Sequence, residues 1–108
     1  MGRLENKYQS DLIDTLEAIF PDSYVIPNDG RRIQGFPDIT ILHKSGKWAT
    51  LECKKSANEP FQPNQEYYVK DMSTKGYSAV ICPENEKEIL DGLQRSLEPR
   101  RKPCASKR

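Results

Sequence analysis

Apolar side chains recur at three- and four-residue spacing between Leu4 and Phe20, at Leu4, Tyr8, Leu12, Leu16, Ile19 and Phe20. That spacing predicts an amphipathic helix, and Pro21-Asp22-Ser23 stops it. A short apolar run, Tyr24-Val25-Ile26, predicts a first strand, closed by Pro27-Asn28-Asp29-Gly30. Arg31 to Gly35 reads as loop. The segment from Phe36 to Leu42 alternates apolar and polar positions, a Lys44-Ser45-Gly46-Lys47 turn follows, and Trp48 to Lys54 alternates again. Two such runs around a glycine-containing turn predict a β-hairpin. Ser56 to Pro63 is loop, and Asn64 to Lys75 predicts a second helix with Gly76 as its C-terminal stop. Tyr77 to Cys82 predicts a fourth strand, and Pro83 to Leu97 a third helix with Ile89, Leu90, Leu93 and Leu97 on one face. The order helix, three strands, helix, strand, helix predicts an α/β domain around a mixed sheet of about four strands.

The hairpin sorts chemistry by face. Strand side chains alternate sides, so Ile39 and Ile41 share one side with Ala49, Leu51 and Cys53, while Asp38, Glu52 and Lys54 share the other. The first side belongs against a helix. The second gathers two carboxylates and one ammonium. Carboxylate oxygens suit a hard divalent ion such as Mg²⁺ or Mn²⁺. Such an ion lowers the pKa of a bound water and stabilises charge growing on a phosphate. With no cation between them, the carboxylates repel and one tends to hold a proton.

Length and composition bound the answer. The chain has 108 residues, which predicts one compact domain, residues 1–97, and a short tail, residues 98–108. No run reaches the roughly 20 apolar residues of a membrane span. Hydrophobic residues are 35% and charged residues 31%, so the core is small, and dimerisation is one way to bury more. The net charge of +1 hides an asymmetry: Arg95 to Arg108 holds six basic residues against one acid, net +5, and the rest holds 11 against 15, net −4. A basic tail is either a grip on phosphate or a solvated end. Cys53, Cys82 and Cys104 are odd in number and widely spaced, with no CxxC pair and a single histidine, His43, which disfavours a disulfide scaffold or a zinc site. The first ten residues have no apolar signal stretch. These features predict an intracellular protein.

Gly35-Phe36-Pro37-Asp38, followed by Glu52-Cys53-Lys54, resembles the PD-(D/E)xK signature of a nuclease superfamily. The Gly-x-Pro-Asp form is similar to the VRR-NUC branch and to small phage and archaeal Holliday-junction resolvases. The resemblance spans Leu4 to Leu90 and implies a restriction-endonuclease-like αβββαβ core with a C-terminal helix. It also implies Mg²⁺ as cofactor, with Mn²⁺ as substitute, bound by Asp38 and Glu52, and Lys54 as the catalytic cation. Members often add an acid from the first helix. Glu5 falls near the centre of the inward face and Glu17 well over 100° away, so Glu5 is the candidate third ligand; a helix N-terminal acid favoured by the macrodipole is the alternative. Members also place a glutamine at the start of the second helix, near the lysine and the nucleophilic water, which implies Gln65 as a fourth catalytic residue. Gln65 occupies that position and shares a face with Val69 and Met72, though a capping or solvent-facing amide is the alternative.

Candidate DNA-binding residues are Arg31 and Arg32 in the loop before the motif, Lys55 after it, and Arg100, Arg101 and Lys102 in the tail. Each has an exposed surface charge as its alternative. His43, at the hairpin tip, is expected to be solvated, Trp48 to pack or to meet a second copy, and Cys53 to be a buried thiol. The sum predicts a Mg²⁺-dependent endodeoxyribonuclease in the cytoplasm of a bacterium or phage-infected cell. It is expected to act as a homodimer on branched or structured DNA, by resolving junctions or nicking. Flap or nonspecific duplex cleavage is a second expectation, and a noncatalytic nucleic-acid-binding module a third.

Overall fold

The computed structural model describes residues 3–28 and 33–99, with side chains from residue 7 onward. Helix α1 spans Arg3–Ile19, and strand β1 Tyr24–Pro27. The hairpin is β2, Ile39–Leu42, and β3, Trp48–Cys53. Helix α2 covers Gln65–Ser73, β4 Tyr77–Ile81 and α3 Glu86–Leu97. The strands form one mixed sheet in the order β1-β2-β3-β4. β1 and β2 run antiparallel, as do β2 and β3, while β3 and β4 are parallel. A parallel pair requires a crossover, and α2 provides it.

The apolar side of the hairpin faces the core as the alternation requires. Ile39, Ile41, Ala49, Leu51 and Cys53 are fully buried and pack with Leu12, Leu16 and Phe20 of the α1 region and Leu93 and Leu97 of α3. The other side of β3 is buried too, at Thr50 and Glu52. β3 is an interior strand, and α2 packs on it and on β4 from the side on which Trp48, Thr50, Glu52 and Lys54 project. Two contacts fix that placement. Gly76, just beyond α2, lies so close to the Trp48 ring that a Cβ there would sit 3.0 Å from it. At the other end Gln65 meets Lys54. Trp48 is thus a half-buried packing residue on this side.

β2 is shorter than the alternation suggests. Phe36, Pro37 and Asp38 lie ahead of the ladder rather than in it. Gly35 takes a positive φ of 85°, which bends the chain immediately before, and Pro37 has no N–H to donate to a ladder. Asp38 still touches the sheet through its main chain, its carbonyl accepting from Asn28 N at 2.8 Å. The third helix begins at Glu86 rather than Pro83. Asn85 holds the preceding turn, its side-chain oxygen accepting from Cys82 N at 2.9 Å and its amide donating to the Val80 carbonyl at 3.0 Å.

His43 corrects an expectation. It is buried rather than solvated. Its Nε2 lies 2.8 Å from Glu98 Oε2, and its Nδ1 2.8 Å from Ser45 Oγ and 3.0 Å from the Ser45 N–H. Phe20 packs edge-on against the ring at 5.7 Å. The hairpin tip is therefore fastened to the end of α3, a relation that local sequence around His43 could not show. Cys53 and Cys82 are buried cysteines, as expected of Cys53. Among the described residues no helix is long and apolar enough to cross a membrane.

Candidate active site

Asp38 stands one residue before β2, Glu52 in β3 and Lys54 one residue after it. Antiparallel register sets Ile39 opposite Leu51, which brings the Asp38 side chain to the end of β3. Its Oδ2 accepts from the Cys53 N–H at 2.8 Å. That bond sets the Asp38 carboxyl at the residue next to Glu52, at the end of β3. Glu52 is fully buried, and Lys54 is 2% exposed. Burial raises the Asp38 pKa above the ordinary carboxylate range; the Cys53 N–H, Glu52 and Lys54 pull it back, and Glu59 adds to the rise.

The Lys54 ammonium is held from several directions. Nζ donates to Gln65 Oε1 at 2.6 Å and to the Pro60 carbonyl at 3.2 Å. Glu52 Oε2 lies 3.7 Å away and Glu59 Oε2 3.9 Å away. The Phe61 ring centroid is 5.7 Å from Nζ. A charge this deep is costly unless paired and hydrogen-bonded, and these contacts supply both. Gln65 Oε1 also accepts from Gln62 N at 2.6 Å, so the loop before α2 and the helix start close together over the lysine.

Of the residues singled out by sequence, Asp38, Glu52, Lys54 and Gln65 converge. Gln65 reaches its place through the inward phase of α2 and acts on Lys54, which makes it a positioning residue. Sequence reasoning misses Glu59 and Pro60. They sit in an aperiodic ten-residue stretch between Lys54 and Gln65, which carries no periodic signal that it turns back across the lysine. Lys55 is exposed, with its N–H bonded to Glu59 Oε1 at 2.7 Å. Glu5 falls in the first turn of α1, and its side chain lies outside the described residues, as do Arg31, Arg32, Arg100, Arg101 and Lys102. Among the described residues no group of three or more His, Cys, Asp or Glu side chains is arranged to hold a metal.

The donor set nevertheless suits a divalent cation that keeps most of its waters. Mg²⁺ is commonly bound through one or two carboxylates, and Asp38 and Glu52 offer two at the same end of the hairpin. If Asp38, Glu52 and Glu59 are all ionised beside Lys54, the cluster carries an excess of negative charge. A hard dication relieves that repulsion, as protonation of Asp38 otherwise would.

No protein-family model matches the chain, and no curated protein matches it. A solved structure described as a VRR_NUC domain superposes with a TM-score of 0.63 at 16% identity, covering 86% of this chain and 97% of that one. At that identity the likeness is one of fold. The chain has the restriction-endonuclease-like α/β fold of a VRR_NUC domain.

Proposed function

We propose that the protein is a metal-dependent DNA endonuclease that hydrolyses phosphodiester bonds in branched or otherwise structured DNA. One observation carries the reading: a buried lysine, fixed by an amide oxygen at 2.6 Å and 3.7 Å from the Glu52 carboxylate, with the Asp38 carboxyl held on the adjacent Cys53 N–H at the end of the same hairpin. A solvent-facing salt bridge needs no such burial, and a simple DNA grip needs no paired acids. The fold shared with a VRR_NUC domain supports the same conclusion.

Asp38 and Glu52 would hold Mg²⁺, with Mn²⁺ as a substitute and Glu5 as a further ligand from α1. The ion, when bound, supplies an acidified water and charge stabilisation at the phosphate. The chain's own groups do the rest. Lys54 offsets negative charge building on the phosphoryl oxygens and orients the attacking water. Gln65 keeps Nζ from swinging back toward Glu59, and the Asp38 carboxylate is oriented by the Cys53 N–H. Water attack forms a new P–O bond as the P–O3′ bond breaks; the 3′ oxygen takes up a proton and the phosphate stays on the 5′ end.

DNA is the partner in this reading, with Arg31, Arg32, Lys55, Arg100, Arg101 and Lys102 as phosphate contacts. A second copy of the chain is the other partner. Tyr24 and Leu42 are cross-strand neighbours and, with Ile26, stay exposed on the outer side of β1 and β2, an apolar surface a two-fold contact would cover. A homodimer would present two sites to two strands. Sedimentation of the wild type against Leu42→Lys tests this, a dimer becoming a monomer.

The decisive experiment is cleavage of a four-way junction, a flap and a plain duplex in Mg²⁺, with Lys54→Ala as control. Metal-dependent cutting that Lys54→Ala abolishes is the expected result. Tight binding with no cutting in either Mg²⁺ or Mn²⁺ would make the protein a binding module instead.

A further inference from the structure

Among the described residues, large apolar side chains left exposed fall into two sets. Tyr24, Ile26 and Leu42 lie on the outer strands. Ile33, Phe61 and Tyr67 lie on the segments that carry the site: Ile33 ahead of Asp38, Phe61 between Lys54 and Gln65, and Tyr67 two positions beyond Gln65. Phe61 is 41% exposed and Tyr67 62% exposed. Neither belongs to the core.

These rings are placed, not loose. Phe61 stands over Lys54 with its centroid 5.7 Å from Nζ. Tyr67 packs edge-on against Tyr68 at 5.1 Å, and Tyr68 against Phe36 at 5.7 Å. An aromatic row thus runs from two residues before Asp38 to two residues after Gln65. Its two ends are pinned by backbone contact. A Cβ at Gly35 would lie 2.6 Å from Asn64 Cβ and from the Pro63 carbonyl oxygen, so the loop carrying Phe36 abuts the start of α2 with no side chain between. Asn64 supports the join from a left-handed conformation, φ 71°.

The chemistry of the substrate decides what such rings can take. In a duplex the base faces are stacked on one another and only phosphates and groove edges are offered. An unpaired nucleotide exposes its π-face, and aromatic side chains stack on any base. We propose that Phe61 and Tyr67 are stacking platforms for unpaired nucleobases. The substrate class is then DNA with unpaired nucleotides beside the scissile phosphate, and this second part rests on the nuclease reading above. Lys54 and the carboxylates meet the phosphate, the Phe61 ring beside Nζ holds an adjacent base, and Tyr67, at the far end of the Phe36–Tyr68–Tyr67 row, holds one further along the strand.

The test uses the full chain and a flap oligonucleotide carrying 2-aminopurine among its unpaired positions, with a matched duplex carrying it internally. Binding is read first in EDTA, then cleavage in Mg²⁺. Stacking predicts that the wild type changes 2-aminopurine fluorescence in the flap and not in the duplex. Tyr67→Leu should weaken flap binding about tenfold, or about 1.4 kcal/mol, with duplex binding little changed, and Phe61→Leu should weaken flap binding by at least as much. Tyr67→Phe, which keeps the ring, should restore flap binding. Equal losses on flap and duplex, or an unchanged fluorescence signal, overturn the proposal even if the protein cuts DNA. Ring-dependent fluorescence with no cleavage in any metal supports the stacking role and sinks the nuclease reading, so the two failures are distinct.

Discussion

The Lys54 ammonium and the Gln65 amide oxygen lie 2.6 Å apart, and that oxygen simultaneously accepts the Gln62 N–H at 2.6 Å. The lysine's position is thereby tied to the backbone of the loop it lies under. Gln65→Ala should leave Lys54 with Pro60 and the carboxylates, drawn toward Glu59 and away from the phosphate. Misplacement of a catalytic group on the ångström scale costs up to about 100-fold, so single-turnover cleavage should fall about 10- to 100-fold. Gln65→Glu keeps an acceptor and should lose less. Equal rates for Gln65→Ala and wild type would remove Gln65 from the mechanism.

The Asp38 carboxyl, lifted by burial, sets a trade between activity and stability. An acid whose pKa is higher folded than unfolded favours the folded state most at low pH, and that contribution is lost as pH rises through the folded value. At neutral pH without metal, the ionised group therefore opposes folding. Asp38→Asn retains an oxygen for the Cys53 N–H and removes the charge. It should abolish cleavage yet melt higher than wild type in EDTA at pH 7; a gain on the order of 1 kcal/mol shifts Tm by about 4–8 °C in a domain of this size. The gain should vanish near pH 4, the ordinary carboxylate range. Mg²⁺ should raise the wild-type Tm by mass action and leave Asp38→Asn unmoved.

How far these relations are legible in the chain depends on their range. Period-two alternation puts Ile39, Ile41, Leu51 and Cys53 in the core and sets Asp38, Glu52 and Lys54 apart from them, because register along a hairpin is a local property. The phase of α2 likewise points Gln65 inward. Alternation misjudges the early part of β2 because it does not encode the positive φ that Gly35 adopts. His43 is misjudged because its partner lies 55 residues away. Glu59 is missed because a loop has no period, and only closure over Lys54 gives its position meaning.

His43 and Glu98 make a prediction about stability alone. The pair fastens the hairpin tip to the end of α3 at 2.8 Å, with the Glu98 side chain 12% exposed. Hydrogen bonds to charged groups contribute about 1.5–3 kcal/mol, so His43→Ala should lower the denaturation free energy by about that amount. The contacts described for this pair run to Ser45 and Phe20 and not to the Lys54 cluster, and cleavage below the unfolding transition should be unchanged. Urea unfolding alongside a rate measurement separates the two; a drop in rate with intact stability would contradict the assignment.

Gly35 couples the motif loop to α2. Any side chain there meets Asn64 and Pro63 at 2.6 Å and must also adopt φ 85°. Gly35→Ala should cost on the order of 1–3 kcal/mol for the backbone conformation, with more for the clash. The structure can relieve that clash only by moving the α2 start, which carries Gln65 and the Tyr67 ring. The variant should thus lose cleavage at temperatures where circular dichroism still reports a folded chain. Full activity in a folded Gly35→Ala protein would show that the contact does not position the site.

The basic segment makes the last prediction, and the fold decides where to cut. Removing everything after Leu97 would also delete Glu98, which His43 holds, and would confuse stability with binding. A truncation that begins at Arg100 isolates Arg100, Arg101, Lys102, Lys107 and Arg108. Every phosphate that a basic side chain neutralises steepens the fall of log K with log salt by about 0.9 on duplex DNA. If the segment grips phosphate, the truncated protein should bind more weakly at low salt and show a flatter slope, by about 0.9 for each phosphate the segment neutralises. Thermal stability should be unaltered, since the His43–Glu98 pair remains. An identical slope in the two proteins would assign phosphate binding to Lys55 and the loop that carries Arg31 and Arg32, and leave the tail a solvated end.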